Sequence, residues 1–243
     1  MTGAAGAGAA RVEVHLAVPT SALAAAGEAV LSAEEARRAA AFQHAGARAQ
    51  FLVGRWLARS VLGEVLGCPP REVPLALGER GALAVEGAGA AGGRVNLSHT
   101  EGLVAVAVAR GVDVGVDVED AARRGRTVEL AERFFAAEET RALAALPEAR
   151  QRARFFALWT LKEAYIKAMG QGLAIPLGRF AFDLDRGPGA AIGFAVDPAI
   201  DPDGGRWRFV RFSPDGQHAL AVCAASGERP LLVRLRWRGL AGG

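Results

Sequence analysis

The sequence predicts an α+β fold built from two halves that meet near residue 110. Two observations point there. The first is segment order: a strand, two helices and strands are followed by strands, two helices and strands again. The second is the pattern around residue 110 itself. Residues 103–109 form an unbroken apolar run of strand length, and residues 112–119 alternate strictly between apolar and polar or small positions.

Residues 11–18 alternate up to Pro19, which gives the first strand. Ser32-Ala-Glu-Glu35 is a capping-box pattern and opens a helix running to about His44. A second helix is expected over 45–66, with Phe51, Leu52, Trp56, Leu62 and Leu66 at helical spacing. Gly67-Cys-Pro-Pro70 stops it. The Gly/Ala-rich stretch 78–93 reads as turns with one short strand. Residues 94–99 read as a strand ending in a polar loop. The strand over 112–119 should pair with the one before it across the Arg110-Gly111 turn. A helix is expected over 131–146, ahead of Pro147, and a longer one over 150–169, closed by Gly170-Gln-Gly172. The remainder, 180–237, is strand-rich, with a loop over 197–205.

The division is thus a flexible leader (1–10), an N-terminal half (11–110) and a C-terminal half (111–243). The leader lacks the basic start and leucine-rich core of a signal peptide. Of 243 residues, 51% are hydrophobic and 23% charged, which excludes a mostly disordered chain. No apolar run approaches the roughly 20 residues of a membrane helix. Two isolated cysteines, Cys68 and Cys223, exclude zinc ribbons and disulfide scaffolds and suit a reducing compartment, so the expected location is cytoplasmic. A net charge of +3 is weak for a nucleic-acid binder, so neither nucleic acid nor membrane is expected as a partner. Of the 29 basic residues only Lys162 and Lys167 are lysines, five positions apart. In so arginine-rich a chain they mark a place where an ammonium is wanted.

Three short patterns carry chemistry. In Gly115-Val-Asp-Val-Glu119, Asp117 and Glu119 lie two apart on a strand and share a face, with Val116 and Val118 turned to the core. Converging carboxylates need a cation or a proton between them. A D-x-E pair taken alone is more often a solvated strand face, and Asp113 shares that face without a matching glutamate. In Trp159-Thr-Leu-Lys-Glu-Ala-Tyr-Ile-Lys167, Glu163 and Lys167 share one helix face, which by itself is an ordinary salt bridge. Asn96-Leu-Ser-His99 offers a hydroxyl and an imidazole that suit phosphate, or cap a turn. It lacks the G-x-S-x-G of a serine hydrolase. Arg37, Arg38, Arg48, Arg55 and Arg59 form a basic set of which one to three should touch a ligand.

In combination these patterns resemble the Sfp-type 4′-phosphopantetheinyl transferase family. Its signatures G-[IV]-D-[IV]-E and W-x-x-K-E-[AS]-x-x-K are matched at 115–119 and 159–167, with Gly170-Gln-Gly-Leu173 after them. An intervening R-F-F-x-x-x-E is matched by Arg133-Phe-Phe-Ala-Ala-Glu-Glu139, and N-[IL]-S-H by Asn96 to His99. The resemblance runs from about Ser32 to Cys223. It implies two similar α+β halves related by a pseudo-twofold axis, with coenzyme A bound as substrate in the cleft between them. It further implies Mg²⁺, or Mn²⁺, held by Asp117, Glu119 and Glu163. Arg38, Arg48 and Arg55 would meet the adenosine 3′-phosphate and adenine, Ser98 and His99 the nucleotide phosphates, Asp117 the metal-bound pyrophosphate, and Lys167 the pyrophosphate directly. One departure is evident. The family's G-K-P is here Gly81-Ala82-Leu83, so that lysine contact is missing or passes to Arg80.

The implied reaction moves the phosphopantetheine arm from coenzyme A to a serine of an apo acyl or peptidyl carrier protein, releasing 3′,5′-ADP. Glu163 is the expected general base, Lys167 the group that stabilises or protonates the leaving phosphate, and Glu139 either a third carboxylate or a residue that supports the others from behind. Arg123, Arg124 and Arg126, with Phe134 and Phe135, form the expected docking surface for an acidic carrier. A monomer suffices. The competing readings are a metal-dependent phosphohydrolase and an inactive coenzyme A-binding homologue.

Overall fold

The structure is a computed structural model that describes residues 8–77, 83–85, 93–123, 125, 127–170, 174–187 and 189–240. Arg80, Ala82, Arg124, Arg126, residues 1–7 of the expected leader and the 171–173 part of the glycine segment lie outside the described residues.

The first strand, β1 (Ala10–Ala17), forms where the sequence alternates. It is followed by α1 (Ser21–Glu28), a helix the sequence reading missed. Thr20 caps it by accepting the Leu23 N–H at 3.2 Å. Next, α2 (Ala33–Ala40) has the expected capping box, with Ser32 and Glu35 bonded reciprocally, but it ends four residues before His44. The 22-residue helix α3 (Ala45–Leu66) follows and stops at Gly67, whose φ of 71° is the left-handed conformation glycine adopts freely. A small hairpin pairs β2 (Leu75–Leu77) with β3 (Leu83–Val85).

Strands β4 (Gly93–Thr100) and β5 (Leu103–Arg110) form a hairpin. Residues 96–99 thus lie within a strand, not in a polar loop. A second correction concerns β6 (Val114–Asp120), which does not pair with β5. Both edges of β5 are already occupied, by β1 and by β4. Strand β6 instead pairs antiparallel with β10 (His218–Ala225), which also pairs with β9 (Trp207–Phe212). The helix expected over 131–146 is two helices, α4 (Thr127–Phe134) and α5 (Ala137–Ala144). The chain turns at Ala136, whose N–H is accepted by Glu139 at 3.1 Å. Then come α6 (Glu148–Met169), the hairpin of β7 (Phe180–Asp183) and β8 (Gly193–Val196), and finally β11 (Leu231–Trp237).

The result is layered. One sheet has the order β11-β1-β5-β4 and the other β6-β10-β9. Their inner faces share a core of Val12, Val14, Leu16, Leu103 and Ala105 against Val116, Val118, Leu220 and Val222. Helix α3 covers the outer face of the first sheet through Val53, Leu57 and Val61. Helix α6 covers the second through Phe155, Leu158, Leu161 and Tyr165. Each sheet therefore carries one 22-residue helix on its outside. Strand β11 belongs by sequence to the C-terminal half, yet it runs parallel to β1 in the first sheet. Among the described residues no helix is long and apolar enough to cross a membrane.

Candidate active site

The carboxylate strand owes its position to a missing side chain. Gly115, Asp117 and Glu119 share the face of β6 that looks onto α6. A Cβ at Gly115 would stand 2.0 Å from the Ala164 carbonyl oxygen, so only glycine lets the helix come this close. That approach brings Lys167 to Asp117, with Nζ 2.7 Å from Oδ1. Ser98, arriving from β4, closes the junction. Its Oγ donates to the same Asp117 oxygen at 2.8 Å and accepts from Lys167 Nζ at 2.8 Å.

Charge is unbalanced here. Burial, and then the Asp117 carboxylate, push the Glu163 carboxyl up to about 7, against the pull of Lys167. The same two causes raise Glu119. Asp117 Oδ2 is buried and has no hydrogen-bond partner, an arrangement that proteins avoid unless something else satisfies the atom. Three carboxylates, two of them held above their ordinary range, and one orphaned buried oxygen are a donor set that suits a hard divalent cation. Among the described residues they are not gathered around one point; Lys167 stands against Asp117 instead.

A cationic rim lies alongside. Glu35 of α2, the capping-box residue, sits between two arginines of α3. Arg59 Nη2 is 2.7 Å from its Oε2, and Arg55 Nε is 2.9 Å from its Oε1. Burial, and then the Arg38 and Arg59 cations, lower the Arg55 guanidinium. Two arginines on one carboxylate, with the Arg38 cation close enough to act on Arg55, leave a surplus of positive charge, which suits an anion. Arg38 and Arg55 flank the Phe51 ring, at 5.5 and 4.7 Å from its centroid. His99 belongs to this rim. Desolvation, then the Lys167 and Arg55 cations, hold its imidazole below its usual value.

The structure thus draws Asp117, Glu119, Glu163, Lys167, Ser98, His99, Arg38 and Arg55 into one neighbourhood. Two expected residues stand elsewhere. Arg48 is paired with Glu28 of α1 on an exposed surface. Glu139 is sealed in the interior, and its role as a third carboxylate is corrected on that ground. Its oxygens accept Lys162 Nζ at 2.7 Å, the Ala136 N–H at 3.1 Å and the Phe182 N–H at 2.9 Å. Phe135 is likewise buried, stacked on Phe155 with centroids 5.3 Å apart, while Phe134 is exposed. The sequence reading gave no role to Glu35 beyond the cap, nor to Thr100. The capping box was a signal for the first; nothing in the sequence signalled the second.

The sequence is similar to those of known transferases. A sequence model of the 4′-phosphopantetheinyl transferase superfamily matches residues 113–223. The 4′-phosphopantetheinyl transferase HetI of Nostoc sp. is 37% identical over 147 residues, 60% of this chain and 62% of its own length. A phosphopantetheinyl transferase of Thraustochytrium sp. is 32% identical over 236 residues, covering 88% of this chain and 78% of its own. The 4′-phosphopantetheinyl transferase Sfp of Bacillus subtilis is 26% identical over 201 residues, 82% of this chain and 84% of its own.

Proposed function

The chain belongs to the 4′-phosphopantetheinyl transferase superfamily, and from that membership we propose that it moves the phosphopantetheine arm of coenzyme A onto a serine of an apo acyl or peptidyl carrier protein. The observation that carries this reading is the Ser98–Asp117–Lys167 junction, where β4, β6 and α6 meet beside an arginine rim.

In this reaction the carrier serine oxygen attacks the β-phosphorus of coenzyme A. The bond from that phosphorus to the bridging oxygen breaks, and 3′,5′-ADP leaves with the bridging oxygen. Arg38, Arg55 and His99 form the rim that suits the 3′-phosphorylated nucleotide. Lys167 meets the pyrophosphate and can hand a proton to the departing phosphate, which an arginine would not do. Glu163 takes the serine proton directly or through a water. Asp117, Glu119 and Glu163 would hold Mg²⁺, or Mn²⁺, whose charge would offset that of the pyrophosphate as it develops.

The exposed Arg123 and Phe134 suit the docking of an acidic helical carrier. Arg152 supports that loop by donating to the carbonyls of Arg123 and Gly125. Phe134→Ala should raise KM for the carrier and leave KM for coenzyme A unchanged; equal shifts in both would remove this face from the docking surface. In this reading the working unit is a cytoplasmic monomer.

The test is intact-mass spectrometry of an apo carrier incubated with the protein, coenzyme A and Mg²⁺. The expected result is a gain of one phosphopantetheine that disappears with EDTA and with Glu163→Gln. Hydrolysis of coenzyme A with no carrier present would point to a phosphohydrolase instead.

A further inference from the structure

Strands β4 and β6 run side by side with no backbone ladder between them, each at the edge of a different sheet. Three side chains of β4 stand in its place. Asn96 Oδ1 accepts the Val116 N–H at 3.0 Å, Ser98 Oγ the Val118 N–H at 3.3 Å, and Thr100 Oγ1 the Asp120 N–H at 3.3 Å. The partners are 20 residues apart in every case, so the two strands advance in step. All three donors belong to buried residues. Without these acceptors they would be orphaned, a condition native proteins avoid.

The two hydroxyls also face the carboxylates between those donors. Ser98 Oγ donates to Asp117 Oδ1 at 2.8 Å, and Thr100 Oγ1 to Glu119 Oε2 at 3.4 Å. A hydroxyl can accept and donate at once, which a backbone carbonyl cannot do. One set of side chains therefore fixes the register of β6 and aims both of its carboxylates.

We propose that Asn96 and Thr100 are positioning residues for the transfer: with Ser98 they hold β6 in register by side-chain hydrogen bonds and so aim Asp117 and Glu119 into the cleft. The inference rests on the transferase reading. Neither residue has to touch coenzyme A, so its effect should fall on turnover and on metal affinity. Partners that orient metal-binding side chains are typically worth 10- to 100-fold in affinity or activity.

Thr100→Val keeps the shape and loses both hydrogen bonds. It should lower kcat about 10-fold and weaken Mn²⁺ binding, read by electron paramagnetic resonance with coenzyme A present, by a similar factor. KM for coenzyme A should stay within about twofold, since the arginine rim is untouched. Thr100→Ser should restore both quantities, because the hydroxyl is what matters. Thr100→Ala carries the same expectation as the valine with less bulk, so a misfolded valine variant does not end the test. Wild-type turnover and Mn²⁺ affinity in the valine and alanine variants, beside an active wild type, would overturn the positioning role alone. A wild-type protein that modifies no carrier would overturn the transferase reading and this role with it.

Discussion

Lys162 and Lys167 stand on the same helix, each 2.7 Å from a carboxylate oxygen, and their surroundings differ in every other respect. The Lys162 side chain is 0% exposed, as is that of its partner Glu139. Its three N–H donors find three acceptors: Glu139 Oε2, the Leu177 carbonyl at 2.8 Å and the Phe180 carbonyl at 2.7 Å. The Phe180 ring lies 4.4 Å away as a cation–π partner. Nothing is left for a ligand. Lys167 is 27% exposed and spends two donors, on Asp117 and Ser98. Its third has no protein acceptor among the described residues. The Lys162–Glu139 pair fastens α5, α6 and β7 together; the other offers a charge to the cleft. An identical ion-pair distance therefore says little about role. The number of satisfied donors and the access of water decide it.

The largest effect should come from breaking the sealed pair. Lys162→Met would leave Glu139 buried and unpaired, at about 3–5 kcal/mol of stability. Urea unfolding measures this, and Lys162→Met combined with Glu139→Leu should recover most of it. A loss under about 1 kcal/mol would erase the contrast.

Lys167→Ala should do the reverse. Removing a donor aimed at developing charge costs about 10²–10³ in kcat, while stability should fall by less than in Lys162→Met, because Lys167 is 27% exposed and Ser98 still donates to Asp117. Carrier-modification kinetics and a melting curve on one preparation separate the two effects. Unfolding of the alanine variant would make Lys167 another fold-building residue.

A buried base that lacks its charge sharpens the comparison. His15 on β1 is 2% exposed, and its Nδ1 accepts Arg238 Nε at 2.9 Å. Burial, then Arg238, lower its pKa from 6.5 to about 4. The unfolded chain binds that proton more readily, so the stabilisation is complete above pH 6.5 and is lost as pH falls towards 4. At most about 3 kcal/mol is at stake. His15→Gln should flatten this part of a stability–pH curve; an unchanged slope would assign it to other groups.

The smallest effect is expected at Arg48. Its exposed pair with Glu28 should be worth well under about 1 kcal/mol, and Arg48→Ala should leave KM for coenzyme A within about twofold. Arg55→Ala should raise that KM by about 10-fold or more, since a charged hydrogen-bonding group is lost. Equal shifts would return Arg48 to the nucleotide rim.

Local patterns made part of this molecule legible. The span of α3 was read correctly, and that of α6 to within two residues, because glycines end both helices and long apolar stripes fill them. The shared face of Asp117 and Glu119 followed from strand alternation. What escaped was partnership across distance. Helix α1 is half alanine, with one leucine, and gives no stripe to read. Nothing local in 112–119 says that β10, a hundred residues on, outcompetes β5. Glu139 looked like a reactive carboxylate because the partners that seal it come from α6 and β7. The arginines could be counted but not sorted, since only the fold separates Arg55 from Arg48.

The parallel pairing of β11 with β1 bears on how the chain is made. On the ribosome β1 and β5 are both available once residue 110 has emerged, but the other edge of β1 waits for residues 231–237. At roughly 5–20 residues per second, the interval from β1 to β11 lasts about 10–40 s. Throughout it, a strand carrying Val12, Val14 and Leu16 shows an open edge to its neighbours. Fast translation or a holding chaperone should therefore raise the yield of soluble protein.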